Sequence, residues 1–200
     1  MKKKTSHWND DFAEVRRQNL YFIDKSLMIR DFLDTGDKVT LITRPRRFGK
    51  TLNMTMLREF FDITKDSRQL FQGLSIMDTE YASQINSRPV IFLTLKDCKG
   101  TTAQEMLLLM KKQIYLEYMR YEKNMKGKLD EASLLAQDFR AMIDVLRDPA
   151  SLPALFTDSI RLLCQIIREQ YRVPPLLLID EYDQPVMSSY EYGYHDSVGN

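Results

Sequence analysis

The segment at residues 44–51 ends in Gly49-Lys50-Thr51, three residue types that together suit phosphate binding. A glycine lets the backbone approach phosphate oxygens closely. A lysine can reach the β- and γ-phosphates of a nucleotide, and a threonine hydroxyl can ligate Mg²⁺. A strand before such a loop and a helix after it would turn the helix N-terminus toward the anion. The segment therefore predicts a nucleotide phosphate loop.

The predicted loop departs from the usual pattern, because Arg44 stands where that pattern opens with glycine, and Pro45 stiffens the entry. Arg46 and Arg47 have three interpretations: they neutralise phosphate charge, they pair with an acidic group of a neighbouring domain, or they form a solvated basic turn. The residues predicted to bind nucleotide are Arg46, Arg47, Phe48, Gly49, Lys50, Thr51 and Leu52.

A second candidate lies at Asp180-Glu181, directly after four apolar residues, 176–179. Carboxylates at the C-terminal end of a parallel strand face the crevice where ligands bind. We expect Asp180, with Thr51, to hold Mg²⁺ partly through water. Glu181 would act as the general base on the attacking water, with Lys50 as the second catalytic residue. Asp183 is either a further acceptor behind this site or a turn residue.

Local patterns predict the elements that would position these residues. Short apolar runs predict strands at residues 37–43, 89–95 and 176–179, the last buried on both faces. Helical spacing of apolar residues predicts a helix at 50–62 and three more between the last two strands. Strands separated by helices indicate an α/β fold with a parallel sheet. We expect a lead-in segment at residues 1–36 and a core at 37–200.

Composition excludes several classes of protein. The hydrophobic share of 44% and the charged share of 28% are those of a globular chain. A net charge of +1 gives no bulk argument for nucleic-acid binding, although a local basic patch could still bind it. No apolar run approaches the roughly 20 residues that span a bilayer. Cys98 and Cys164 lack metal-ligand spacing, which predicts free thiols in a reducing cytoplasm.

Four segments together resemble a known family, the bacterial AAA-ATPase-like proteins that usually carry a PD-(D/E)XK nuclease-like domain. The segments are FAEVR at 12–16, YFIDKS at 21–26, TRPRRFGKTL at 43–52 and IDEYDQP at 179–185. The resemblance spans residues 10–187, and arginine in place of the first glycine is usual in that family. It implies a three-layer P-loop NTPase sandwich that uses ATP and Mg²⁺, with a catalytic Glu181 beside the metal-site Asp180.

The same resemblance implies further structural elements that are not visible in these residues. Such ATPases have further strands after the acidic one, including one that bears a polar sensor residue, and no such strand is visible between Glu181 and Asn200. We therefore expect the sandwich to be incomplete at its C-terminus. A nuclease-like domain or nucleic acid is the expected partner of the longer form, with no membrane partner.

Three functions remain open on the sequence alone. The first is ATP hydrolysis that drives an attached effector, and Glu181 favours it because a pure binder needs no base. The second is a nucleotide-binding switch with little turnover. The third is a nucleic-acid module that uses Arg44, Arg46 and Arg47. In the YFIDKS segment, Asp24 either helps to enclose the nucleotide or caps a helix at residues 25–33.

Overall fold

The computed structural model describes residues 9–43, 48–130 and 132–197. These residues divide into two compact units, the first ending at Val90 and the second beginning at Ile91. Helices and a small parallel sheet together agree with the predicted α/β class. The predicted boundary between residues 36 and 37 stays a prediction.

The first unit is helical. Its helices are α1 (Phe12–Arg17), α2 (Leu27–Thr35), α3 (Lys50–Phe61) and α4 (Arg68–Phe71), followed by 3-10 turns at Ser75–Asp78 and Glu80–Gln84. The predicted helix at 50–62 is thus confirmed as α3. Its core is aromatic: the ring centroids of Phe12 and Phe71 lie 4.8 Å apart, and those of Phe60 and Phe71 lie 5.3 Å apart. Such ring pairs add to the stability that burial alone provides.

Polar contacts fix α3 against α1. The hydroxyl of Thr55, on α3, accepts a hydrogen bond from the Phe12 N–H at 3.0 Å. Arg58 forms an ion pair with Asp11 at 2.9 Å. Asp11 also begins α1, since its carboxylate accepts from the Glu14 N–H at 3.0 Å. The helix that follows the phosphate loop is therefore anchored along its middle by the residues that precede α1 and by α1 itself.

The second unit places helices beside a sheet. Its elements are β1 (Val90–Thr94), α5 (Ala103–Met125), α6 (Leu134–Arg147), α7 (Ser159–Tyr171), β2 (Leu176–Asp180) and α8 (Gln184–Glu191), with 3-10 turns at Pro153–Leu155 and His195–Ser197. Helices α5, α6 and α7 pack on one another around a single apolar cluster. Thr102 begins α5, because its hydroxyl accepts from the Glu105 N–H at 3.2 Å, while the Glu105 carboxylate accepts from the Thr101 N–H at 2.8 Å.

Two parallel strands, β1 and β2, make up the sheet within the described residues. The Leu95 N–H donates to the Asp180 carbonyl at 2.9 Å, just past the end of β1. Side chains alternate along β2, so Leu178 and Asp180 are buried while Leu177 and Ile179 are each 38% exposed. The expectation that β2 is buried on both faces is wrong, because only one face is covered.

The predicted strand at residues 37–43 is also wrong. These residues form no strand, and Val39 and Leu41 are 87% and 63% exposed. A strand needs a neighbour to satisfy its N–H and C=O groups, and the part of the chain that the structure describes pairs none with this segment. Apolar residues at three positions did not suffice to make a strand there. The three-layer sandwich consequently remains a prediction.

Candidate functional site

The start of α3 carries the predicted phosphate-binding residues that the structure describes. Gly49 adopts the left-handed conformation, with φ of 74°, and its carbonyl accepts from the Asn53 N–H at 3.0 Å. Glycine is suited to this position because a side chain there would be strained. Lys50 and Thr51 are the first two residues of α3 and are partly exposed, as is Leu52, while Phe48 is largely exposed. Arg44, Pro45, Arg46 and Arg47 lie outside the described residues.

This helix start has the electrostatic character of an anion site. Gly49 occupies the N-cap position and has no side chain to accept from the N–H groups of the first turn. No acidic residue lies in that first turn either, so the positive end of the helix dipole keeps its charge. Lys50 adds a full positive charge at the same place. Backbone N–H groups and a cation at one helix end are what bind phosphate.

The end of β2 carries the predicted acidic residues. Asp180 is 1% exposed, and both of its carboxylate oxygens are buried without a hydrogen-bond partner among the described residues. Burying an ionised carboxylate in this way costs several kcal/mol unless a cation or a donor compensates it. The backbone at this position is nevertheless fixed by pairing with Leu95. The site therefore holds an acidic group in place and gives its carboxylate no hydrogen-bond partner among the described residues.

The next residues turn away from the strand in an unusual conformation. Glu181 has φ of 54°, a left-handed backbone that costs a non-glycine residue of order 1 kcal/mol or more. The Gln184 N–H donates to the Glu181 carbonyl at 3.0 Å and closes the turn into α8. Glu181 is partly buried. The left-handed backbone at Glu181 thus turns the chain sharply from β2 into α8.

Asp183 stands at the N-cap position of α8 but makes no capping hydrogen bond. One of its carboxylate oxygens, Oδ1, is buried and has no partner among the described residues. A turn residue would ordinarily use that oxygen to accept from the backbone. Asp183 is nevertheless a turn residue just ahead of α8, and its role as a further acceptor behind the acidic site stays a prediction.

An implied Mg²⁺ ion fits the residues at β2 on their chemistry. Mg²⁺ prefers carboxylate oxygens, keeps several waters and takes few protein ligands. Asp180 offers two buried oxygens without partners, and no group of three or more acidic, histidine or cysteine side chains in the described ranges could enclose a metal. A cation bound there would therefore complete its coordination with water and with oxygens of a bound molecule.

Asp24 does not have the helix-capping role that was one of its two predicted roles. Its carboxylate accepts from the N–H of Ser26 and from the N–H and hydroxyl of Ser75, each at 2.8 Å. Helix α2 begins later, at Leu27, with Ser26 at its N-cap position. The proposed N-cap role of Asp24 is wrong, since its side chain closes a turn before the helix. Whether it also affects nucleotide binding stays a prediction.

The cysteines are free thiols, as expected. Burial, with a contribution from Asp97, raises the pKa of Cys98 to about 11. A thiol with that pKa is protonated at neutral pH and is a poor nucleophile. Cys98 is therefore a buried structural residue.

One buried polar group at α3 has no counterpart in the sequence-based predictions. Asn53 is 2% exposed, and its side-chain amide nitrogen has no hydrogen-bond partner among the described residues. The signal was an asparagine between the apolar residues Leu52 and Met54 in a helical run. That pattern alone does not tell a buried amide from one on a solvent-facing side of the helix.

The fold and these two groups of residues define an α/β protein with a positively charged helix start and a buried carboxylate that has no hydrogen-bond partner among the described residues. The chain belongs to the AAA-ATPase-like family, described as predicted AAA-ATPases, whose family model matches residues 9–198. Membership supports nucleotide binding, and it confirms the resemblance apart from the nuclease-like domain, which nothing tests. No curated protein and no solved structure matches the chain. Among the described residues, no helix is long and apolar enough to cross a membrane.

Proposed function

We propose that this chain binds ATP with Mg²⁺ and hydrolyses it, and that the nucleotide state controls an attached effector. The family supports an AAA-type ATPase. The proposal includes the P-loop sandwich that the family resemblance implies. The observation that carries the proposal is the buried carboxylate of Asp180, which has no partner of its own.

The start of α3 supplies the groups for the phosphates. Lys50 would neutralise charge on the β- and γ-phosphates, while the first-turn N–H groups of α3 donate to phosphate oxygens. The hydroxyl of Thr51 is a suitable ligand for the cation that accompanies the nucleotide. Arg46, Arg47, Phe48, Gly49 and Leu52 complete the proposed nucleotide-binding set.

The end of β2 supplies the acidic groups. Asp180 would hold the cation, which when bound neutralises charge that develops on the phosphates. Glu181 would orient the attacking water and accept its proton. Its strained turn favours this role, because a general base must be fixed within hydrogen-bond distance of the proton that it abstracts. Asp183 would accept a hydrogen bond from water near Asp180.

The experiment separates binding from hydrolysis with two variants and a control. Glu181→Gln should keep ATP binding and lose most hydrolysis, because an amide is a poor base of nearly the same shape. Asp180→Asn should weaken binding in the presence of Mg²⁺ and leave Mg²⁺-free binding nearly unchanged. Asp144→Asn, an exposed change on α6, is the matched control and should alter neither. The measurements are titration with a fluorescent ATP analogue and phosphate release.

The outcomes distinguish the competing functions. Hydrolysis by Glu181→Gln at the parent rate would remove Glu181 as the base. ATP binding by the parent without turnover would favour a nucleotide-dependent switch. No ATP binding would contradict the proposal, and salt-sensitive DNA binding in its place would favour the nucleic-acid module. A nuclease-like domain as the effector, and a cytoplasmic location, remain predictions.

A further inference from the structure

Helix α3 buries three polar side chains, and they differ in whether the fold satisfies them. Those of Thr55 and Glu59 have partners: Thr55 accepts from the Phe12 N–H, and Glu59 accepts from the Ser67 hydroxyl at 2.9 Å and from Lys65. Asn53 lies nearest the start of the helix, and its side-chain amide nitrogen has no partner in the described part of the chain. The polar group without a partner is thus the one beside the predicted phosphate site.

Folded proteins seldom bury a hydrogen-bond donor without a partner, because such a donor lowers the stability of the fold. Leaving an amide N–H unsatisfied costs about 1–3 kcal/mol, and an apolar side chain of similar shape would avoid that cost. Asn53 is also a weak helix former in the helix interior. A leucine would suit this position better for stability alone. The amide therefore suggests an acceptor that the protein chain does not itself supply.

Helix geometry indicates where that acceptor would lie. Side chains on a helix lean toward its N-terminus, over the turn three to four residues earlier. For Asn53 that turn holds Gly49 and Lys50. A Cβ atom added at Gly49 would meet no atom of the described residues within 4 Å, apart from its chain neighbours. By this general geometry we expect the amide of Asn53 to lean toward the helix end where Lys50 adds positive charge.

We propose that Asn53 is a phosphate-chain ligand, whose amide N–H donates to a phosphate oxygen of the bound nucleotide. This inference rests on the proposed ATP binding and deepens it. The helix start supplies the charge, and the buried amide supplies a neutral donor with a fixed position. A donor already buried gains more from an anionic acceptor than an exposed one, because it has no water to give up.

The test compares stability without ligand against affinity for the phosphate chain. Asn53→Leu removes the unsatisfied donor, so it should leave the melting temperature of the ligand-free chain unchanged or raise it. The same variant should bind ATP about tenfold more weakly, as expected for the loss of one hydrogen bond to a charged acceptor. Inorganic tripolyphosphate, measured by competition with a fluorescent ATP analogue, should lose affinity by the same factor. Met56→Leu, a buried apolar change on the same helix, is the control.

Several results would overturn the inference. Parental ATP affinity in Asn53→Leu would show that the amide does not touch the ligand. A loss for ATP but not for tripolyphosphate would place the contact on the ribose or base, and tripolyphosphate that fails to compete with the parent would have the same effect. Should Asn53→Leu not fold, Asn53→Ala takes its place, and failure of both would make Asn53 a structural residue. A parent chain that binds neither ligand would instead contradict the proposed function itself.

Discussion

The two candidate regions differ in how much local structure holds them. The carboxylate of Asp180 follows a strand that is paired with β1, and its backbone accepts from Leu95. Lys50 follows a segment that forms no strand. It is the first residue of α3, and contacts of Thr55 and Arg58 anchor that helix. The backbone of the acidic region is thus fixed by strand pairing, and its buried carboxylate has no hydrogen-bond partner among the described residues. The basic region is exposed, and ligand is expected to complete it.

The largest effect should come from Lys50→Ala. Lys50 is the cation that the loop is expected to fix at the β- and γ-phosphates, so ATP affinity should fall by more than tenfold (over about 1.4 kcal/mol). Because Lys50 is partly exposed, ligand-free stability should change by less than about 1 kcal/mol. Isothermal titration and thermal melting measure the two quantities.

Lys112→Ala, an exposed change on α5, is the control for the loss of one positive charge. Equal ATP affinity in Lys50→Ala and in this control would remove the phosphate-loop assignment.

The next effect has the opposite sign and concerns the acidic region. Without nucleotide and Mg²⁺, Asp180→Asn should raise the free energy of unfolding by about 1–2 kcal/mol, since an amide is cheaper to bury than an ionised carboxylate. Urea unfolding at neutral pH in chelator measures it. Should the variant be less stable than the parent, the carboxylate already has a compensating partner, and the contrast between the two regions fails.

The smallest effect separates Asp24 from both regions. Partial burial works to raise the pKa of Asp24, but hydrogen bonds from Ser75 and Ser26 outweigh it and hold that pKa below its ordinary value of 3.8. A depressed pKa means stability that is present above about pH 4 and is lost as pH falls through the folded-state value. Asp24→Ala should therefore lower neutral-pH stability by up to about 1 kcal/mol and flatten the acid limb of the stability curve.

Melting curves from pH 2 to pH 7, with and without ATP, test this role. An equal shift in both series fits a structural clamp. A loss of ATP affinity larger than the loss of stability would instead support the nucleotide-enclosing role of the YFIDKS segment.

The sequence predicted elements best where one strong local pattern defined them. Helices α3, α5, α6 and α7 have apolar residues at helical spacing, and β1 and β2 are short apolar runs bounded by proline or charge. The segment at 37–43 has similar apolar content, but a strand depends on a neighbour that local sequence cannot reveal. Whether an apolar strand is covered on one face or two is likewise a property of packing, as β2 illustrates.

The residue types of the candidate site could be predicted from the sequence, but the burial and hydrogen bonding of those residues could not. Motif spacing identified Gly49, Lys50, Asp180 and Glu181. That Asp180 is buried without a partner, and that Asn53 shares this condition, depends on long-range packing that no local pattern encodes. The capping alternative for Asp24 was wrong, and its contact with Ser75 could not be predicted because the two residues are distant in sequence.

The left-handed backbone of Glu181 affects which amino acids evolution can accept at this position. Glycine would relieve the strain, and asparagine or aspartate would tolerate it, whereas valine or isoleucine would make it worse. Glycine here would thus relieve the backbone strain and remove the carboxylate. Backbone strain alone favours glycine at this position, so a retained glutamate would have to be maintained by the contacts or the chemistry of its side chain.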